Sequence, residues 1–143
     1  KFRLLAVGHP QLICIFVYIQ DTIFLHFMPT TKQTGDYFEA KAKVYYSRNG
    51  YQCLAENYRY GRREIDLIFK KDKLLIFVEV KYRNSSIFGF PETWVNTKKQ
   101  TLIEECADYF IEQYNWFGNI RFDIAAFLLK ENKAQLKIFT DVF

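Results

Sequence analysis

The chain has 143 residues, enough to bury one hydrophobic core and too few for two domains of ordinary size. Half of the residues are hydrophobic and a quarter charged, which excludes disorder over most of the length, and a net charge of +4 suits a polyanionic partner without demanding one. Three cysteines without CxxC spacing and two histidines exclude a disulfide framework, a zinc cluster and histidine-based catalysis, so a reducing cytoplasm is expected and any metal site must be built from carboxylates.

Residues 1–27 read unlike the rest. The apolar clusters LICIFVYI and TIFLHF are split by Gln20 and Asp21, and no small-residue cleavage site precedes Met28. A spanning helix would need roughly 20 apolar residues without an aspartate at its middle. The segment is read as an extension upstream of a translation start at Met28, with membrane attachment as the competing reading, and residues 28–143 as the folded domain.

Residues 34–49 have helical spacing, with Thr34 as N-cap, Phe38, Ala42 and Tyr45 on one face, and Gly50 just past the end. Residues 51–58, 64–69 and 74–83 are rich in aromatic and branched side chains and are separated by charged or glycine-containing turns, which predicts a meander of three strands. Arg59, Arg62, Arg63, Lys70, Lys71, Lys73, Lys81 and Arg83 crowd this stretch. A basic surface follows, on which Arg62, Arg63 and Arg83 are expected to meet nucleic acid; a solvated face is the alternative.

The loop 84–96 carries Phe88, Phe90 and Trp94 among turn formers, and exposed aromatics there could stack on bases or dock a partner. A helix over 97–116 then places Ile103, Cys106, Ala107, Phe110 and Tyr114 on one stripe, ended by Gly118. Lys98 and Lys99 open it, where a cation is poorly placed for the helix dipole; phosphate contact would explain them, with Lys98 the residue expected on nucleic acid, and an exposed lysine pair is the plain alternative. Strands over 120–129 and 134–139 follow, with Arg121 and Asp123 expected to pair at a sheet edge. The order α-β-β-β-α-β-β describes one α/β domain.

Two strands carry charge where apolar residues belong: Glu64-Ile65-Asp66-Leu67-Ile68-Phe69 and Leu75-Ile76-Phe77-Val78-Glu79-Val80-Lys81. Alternation puts Asp66 on one face of the first strand and Glu79 and Lys81 on one face of the second. In either short hairpin register Asp66 and Glu79 share a face, directly opposite or as diagonal neighbours about 7–8 Å apart. Such a carboxylate pair is unfavourable without a compensating cation or proton. Magnesium suits it, with Asp66, Glu79, a backbone carbonyl such as that of Val80, waters and a substrate phosphate as ligands. Lys81 could orient the attacking water and steady charge on the phosphate; a plain salt bridge to Glu79 or Glu64 is the structural alternative. Glu39, beside the apolar face of the first helix, is by default a solvated glutamate.

The ordered set Gly35-(x3)-Glu39, Glu64-Ile65-Asp66-Leu67-Ile68, Phe77-Val78-Glu79-Val80-Lys81-x-Arg83, Phe88-Gly89-x-Pro91, Lys98 and Arg121-Phe122-Asp123 resembles the YraN family of small bacterial proteins over residues 34–143. The resemblance implies a restriction-endonuclease-like αβββαβ core, a central mixed sheet flanked by helices. It likens Asp66 with Glu79-Val80-Lys81 to the PD-(D/E)xK nuclease signature, without its proline. It further implies Asp66 and Glu79 as metal ligands, Lys81 as the catalytic lysine and Glu39 as an acid brought to the same site. Arg63 stands where many members have glycine, which bears on the local turn. The function implied is Mg2+- or Mn2+-dependent endonuclease action on DNA in preference to RNA, branched or flapped DNA included, with no membrane and with oligomeric state open, a dimer included. The alternative is a nucleic-acid-binding module of the same fold without turnover.

Overall fold

The computed structural model describes residues 16–19, 30–84, 89, 93–130 and 133–143, with the backbone alone at 16–19, 130 and 133. In chain order the elements are β1 (Phe16–Ile19), α1 (Thr31–Arg48), β2 (Gln52–Tyr60), β3 (Arg63–Lys71), β4 (Leu74–Arg83), α2 (Thr97–Tyr114), β5 (Asn119–Lys130) and β6 (Lys133–Phe139). The strands form one mixed sheet in the order β1-β6-β5-β4-β3-β2. All neighbours are antiparallel except β4 and β5, which run parallel because α2 carries the chain back between them.

A helix packs on each face. On one, Ile103, Cys106, Ala107 and Phe110 of α2 meet Ile68, Leu75, Phe77, Phe122, Ile124 and Ala126. On the other, Phe38, Ala42 and Tyr46 of α1 meet Leu67, Phe69, Ile76, Val78, Ala125 and Phe127. The central strands are covered on both sides, which is why β4 is apolar at nearly every position and its charged residues stand out. This is the expected α/β arrangement, a central mixed sheet with the αβββαβ core.

Several local expectations are corrected. α1 begins at Thr31 and is capped by Thr30, whose hydroxyl accepts from the Gln33 N–H, while Thr34 Oγ1 donates back to the Thr30 carbonyl within the first turn. Tyr46 rather than Tyr45 completes the buried stripe, and Tyr114, at the frayed end of α2, is exposed. α2 stops at Asn115, which takes the left-handed conformation (φ 52) that asparagine tolerates. Gly118 is needed for space instead: a Cβ there would lie 2.5 Å from the Lys73 carbonyl oxygen and 2.6 Å from the Trp116 ring.

Trp94, grouped with the exposed loop aromatics, is buried in the α2-side core. Phe88, Phe90 and most of the N-terminal segment lie outside the described residues; within that segment β1 pairs with residues 134–137 of β6. Asp123 does pair with Arg121, at 2.8 Å, but β5 is an interior strand and the carboxylate is buried. It also accepts from Tyr46 Oη at 2.8 Å and from the Asp141 N–H at 3.3 Å, tying α1 and the C-terminal residues to β5. Among the described residues no helix is long and apolar enough to cross a membrane.

Candidate functional site

The β3–β4 hairpin pairs Lys71 with Leu74 and holds register as far as Leu67 opposite Val78. Continued by one step, that register sets Asp66 across from Glu79. There the strands part, while β4 stays paired with β5 out to Arg83 opposite Leu128. The parting removes a backbone partner from the Val80 N–H, which donates instead to Asp66 Oδ2 at 2.7 Å. β2 departs from regular geometry on the other side: Asn57, between the pairs Glu56–Leu67 and Tyr58–Ile65, takes a left-handed φ of 49°, and its side chain opposes the rise in the Glu39 pKa.

Glu79 is only 4% exposed. Its Oε1 accepts from Lys81 Nζ at 2.6 Å and lies 3.2 Å from Lys99 Nζ of α2. Its Oε2 is buried with no hydrogen-bond partner. Burial, and then the charge of Glu79, push the Asp66 carboxyl up to about 7, against the opposing pull of the Val80 N–H and Lys81. Burial also raises Glu39, which Asn57 opposes and Asp36, Glu64 and Glu79 reinforce. Asp66, Glu79, Glu39 and Lys81 therefore act electrostatically on one another, as a single cluster where the sheet forks.

Among the described residues no three histidine, cysteine or carboxylate side chains form a ready-made metal cage. Magnesium and manganese do not need one, since they keep several waters and take one or two carboxylates. The donor set fits such an ion: two carboxylates in mutual repulsion, one with a buried oxygen left without a partner. The Val80 N–H already serves Asp66.

The residues expected on nucleic acid are more dispersed. Arg62 is exposed at the β2–β3 turn and Lys98 at the first turn of α2. Arg63 pairs with Glu105 of α2, and Arg83 lies over the Trp94 ring, 4.1 Å from its centroid, and donates to the Thr93 carbonyl. The sequence reading passed over Asn57 and took Lys98 where Lys99 is the residue that reaches Glu79. Both had a signal. Asparagine is a poor strand former in mid-strand. Lys99 stands four, seven, eight and eleven residues before Ile103, Cys106, Ala107 and Phe110, on the buried stripe of α2, whereas Lys98 is off it.

Residues 38–127 match the family model described as "Uncharacterised protein family UPF0102". A UPF0102 protein of Cytophaga hutchinsonii is 43% identical over 94 residues, covering 66% of this chain and 83% of that protein. One from Natranaerobius thermophilus is 41% identical over 110 residues, covering 75% and 92%, and one from Caldicellulosiruptor bescii is 38% identical over 120 residues, covering 78% and 98%. The matched region includes the whole of the cluster from Glu39 to Lys99.

Proposed function

We propose that this chain, which belongs to the uncharacterised protein family UPF0102, is a metal-dependent phosphodiesterase of nucleic acid, with DNA as the substrate class and branched or flapped DNA within it. The observation that carries this reading is Glu79: a buried carboxylate, set beside Asp66, with one oxygen on two lysines and the other without a partner. A carboxylate pair made this unfavourable by its own fold is the arrangement a divalent cation relieves.

Asp66 and Glu79 are the residues that would hold Mg2+ or Mn2+, which when bound supplies Lewis-acid stabilisation of charge building on a phosphate group. Lys81 is about one-third exposed at the mouth of the cluster. Its ammonium orients the incoming water and steadies the phosphate oxygens as they gain charge. Glu39, on α1 and coupled electrostatically to Asp66 and Glu79, accepts a hydrogen bond from that water and sets its direction. The Val80 N–H locks the Asp66 carboxylate in place, so little reorganisation is needed.

One observation favours a second reading, a binding module without turnover: Glu79 is already charge-balanced by protein groups, the Lys81 and Lys99 ammoniums on its Oε1. A panel of single-stranded, duplex, flapped and four-way DNA with Mg2+, Mn2+ or chelator separates the two. Metal-dependent cleavage lost by orders of magnitude in Asp66→Asn, with the melting temperature kept, supports the enzyme. Binding without cleavage under every condition supports the module, and absence of both removes nucleic acid from consideration.

A further inference from the structure

We propose that Lys99 is a displaceable counter-ion of the site: it holds Glu79 while no divalent cation is bound, and gives up that place when one enters. The proposal rests on the metal-site reading above and adds to it the residue that regulates occupancy. Three observations lead there.

Glu79 Oε1 carries two ammonium groups, Lys81 at 2.6 Å and Lys99 at 3.2 Å, while Oε2 has no partner. A carboxylate satisfied for its own sake would share the donors between its oxygens; doubling them on one leaves a buried acceptor at full desolvation cost. The two lysines also differ in origin. Lys81, two residues along the same strand as Glu79, keeps the tighter hold, a hydrogen bond at 2.6 Å against 3.2 Å for Lys99. Lys99 comes from the first turn of α2, is about one-third exposed, and has a long side chain able to swing into solvent.

The position of Lys99 is also costly in isolation. It lies at the N-terminal end of a helix, where the dipole disfavours a cation, and on the stripe that otherwise buries apolar residues. The Asn96 cap binds the Lys99 N–H at 2.9 Å, which fixes the backbone from which the side chain reaches Glu79. A carboxylate pair that needs a positive charge in the absence of metal accounts for an ammonium placed there.

The test is a Mn2+ titration, followed by calorimetry and by manganese paramagnetic resonance, on wild type, Lys99→Gln and Lys98→Gln. The two variants lose the same charge one residue apart, and only one loses a contact with Glu79. Lys99→Gln is expected to bind Mn2+ about tenfold more tightly than Lys98→Gln, which should stay within about twofold of wild type, a tenfold change being about 1.4 kcal/mol. In chelator, Lys99→Gln should melt several degrees lower than Lys98→Gln, and saturating Mn2+ should close the gap. Equal affinities for the two variants, or weaker binding by Lys99→Gln, overturn the exchange while leaving the metal site standing. Absence of Mn2+ binding by all three proteins overturns the metal site and the exchange together.

Discussion

Asp66 makes the charge state of the cluster measurable. Its carboxyl sits at about 7 in the fold against 3.8 for an ordinary aspartate, because of burial first and Glu79 second. The folded chain therefore keeps a proton that the unfolded chain has already released. The stabilisation this gives is complete below the ordinary aspartate range and is lost as pH rises towards and through about 7. Metal-free protein should melt lower at pH 8 than at pH 5, and Asp66→Asn, which keeps an oxygen for the Val80 N–H, should flatten that slope. Glu39, Glu79 and Lys81 surround the group in both proteins, so the difference between the two profiles belongs to Asp66. Parallel profiles would remove the repulsion on which the metal reading depends. At this scale the sequence showed the acids and Lys81 as ionisable groups in apolar strands. Asn57 left only a faint signal, a poor strand former in mid-strand; its left-handed backbone and its effect on Glu39 depend on how β2 lies against α1, which the local pattern does not encode.

At the scale of elements, period and turn chemistry carried most of the reading: the three-strand meander, α2 starting at residue 97 and the last two strands fall where their apolar residues put them. The misses have separate causes. Thr30 and Thr34 are both good caps, and what decides between them is a further turn of polar helix that no apolar stripe marks. Arg121 and Asp123 look like a surface pair until Tyr46 of α1 and the Asp141 backbone close over the carboxylate. Gly118 looks like a helix stop, but its role is close approach: the Asn119 N–H donates to the Lys73 carbonyl at 2.8 Å and brings the β5 entry against the hairpin turn. Gly118→Ala should cost roughly 1–3 kcal/mol by forcing that contact apart, read by urea denaturation at unchanged m-value. A neutral substitution would mean that the turn at Lys73 yields more readily than its hydrogen bond suggests.

Over the whole molecule, the basic stretch turns out to be largely engaged in local contacts. Arg59 meets Glu64, Arg63 meets Glu105, Lys81 meets Glu79, Lys71 donates to the Asn49 carbonyl over the Tyr51 ring, and Lys70 lies over Trp116. Composition alone could not reveal this, since pairing depends on which strands and helices become neighbours. DNA affinity should still fall with salt. Its log–log slope should be shallower than about −7, the value for eight independent phosphate contacts at about −0.9 each. Filter binding or fluorescence anisotropy in Ca2+ between roughly 50 and 200 mM salt measures it. A slope at the full value would mean that the local pairs open on binding, and no slope at all would remove the polyanion.

The single parallel pair in the sheet also sets an order of assembly. From α1 to β4 the chain closes on itself through short turns, whereas β5 can join β4 only after the whole of α2 has been made and laid across the sheet. Glu39, Asp66 and Glu79 belong to the early part, and Lys99 arrives with the late one. On a ribosome the mutually repelling acids emerge before the ammonium that comes from the crossover, so the nascent domain passes through a stage in which its least favourable feature is least compensated. Pulse-labelled hydrogen exchange during refolding should find amides of the β2–β3 hairpin protected before those of β5 and β6, and divalent cation present at that stage should speed the step that follows.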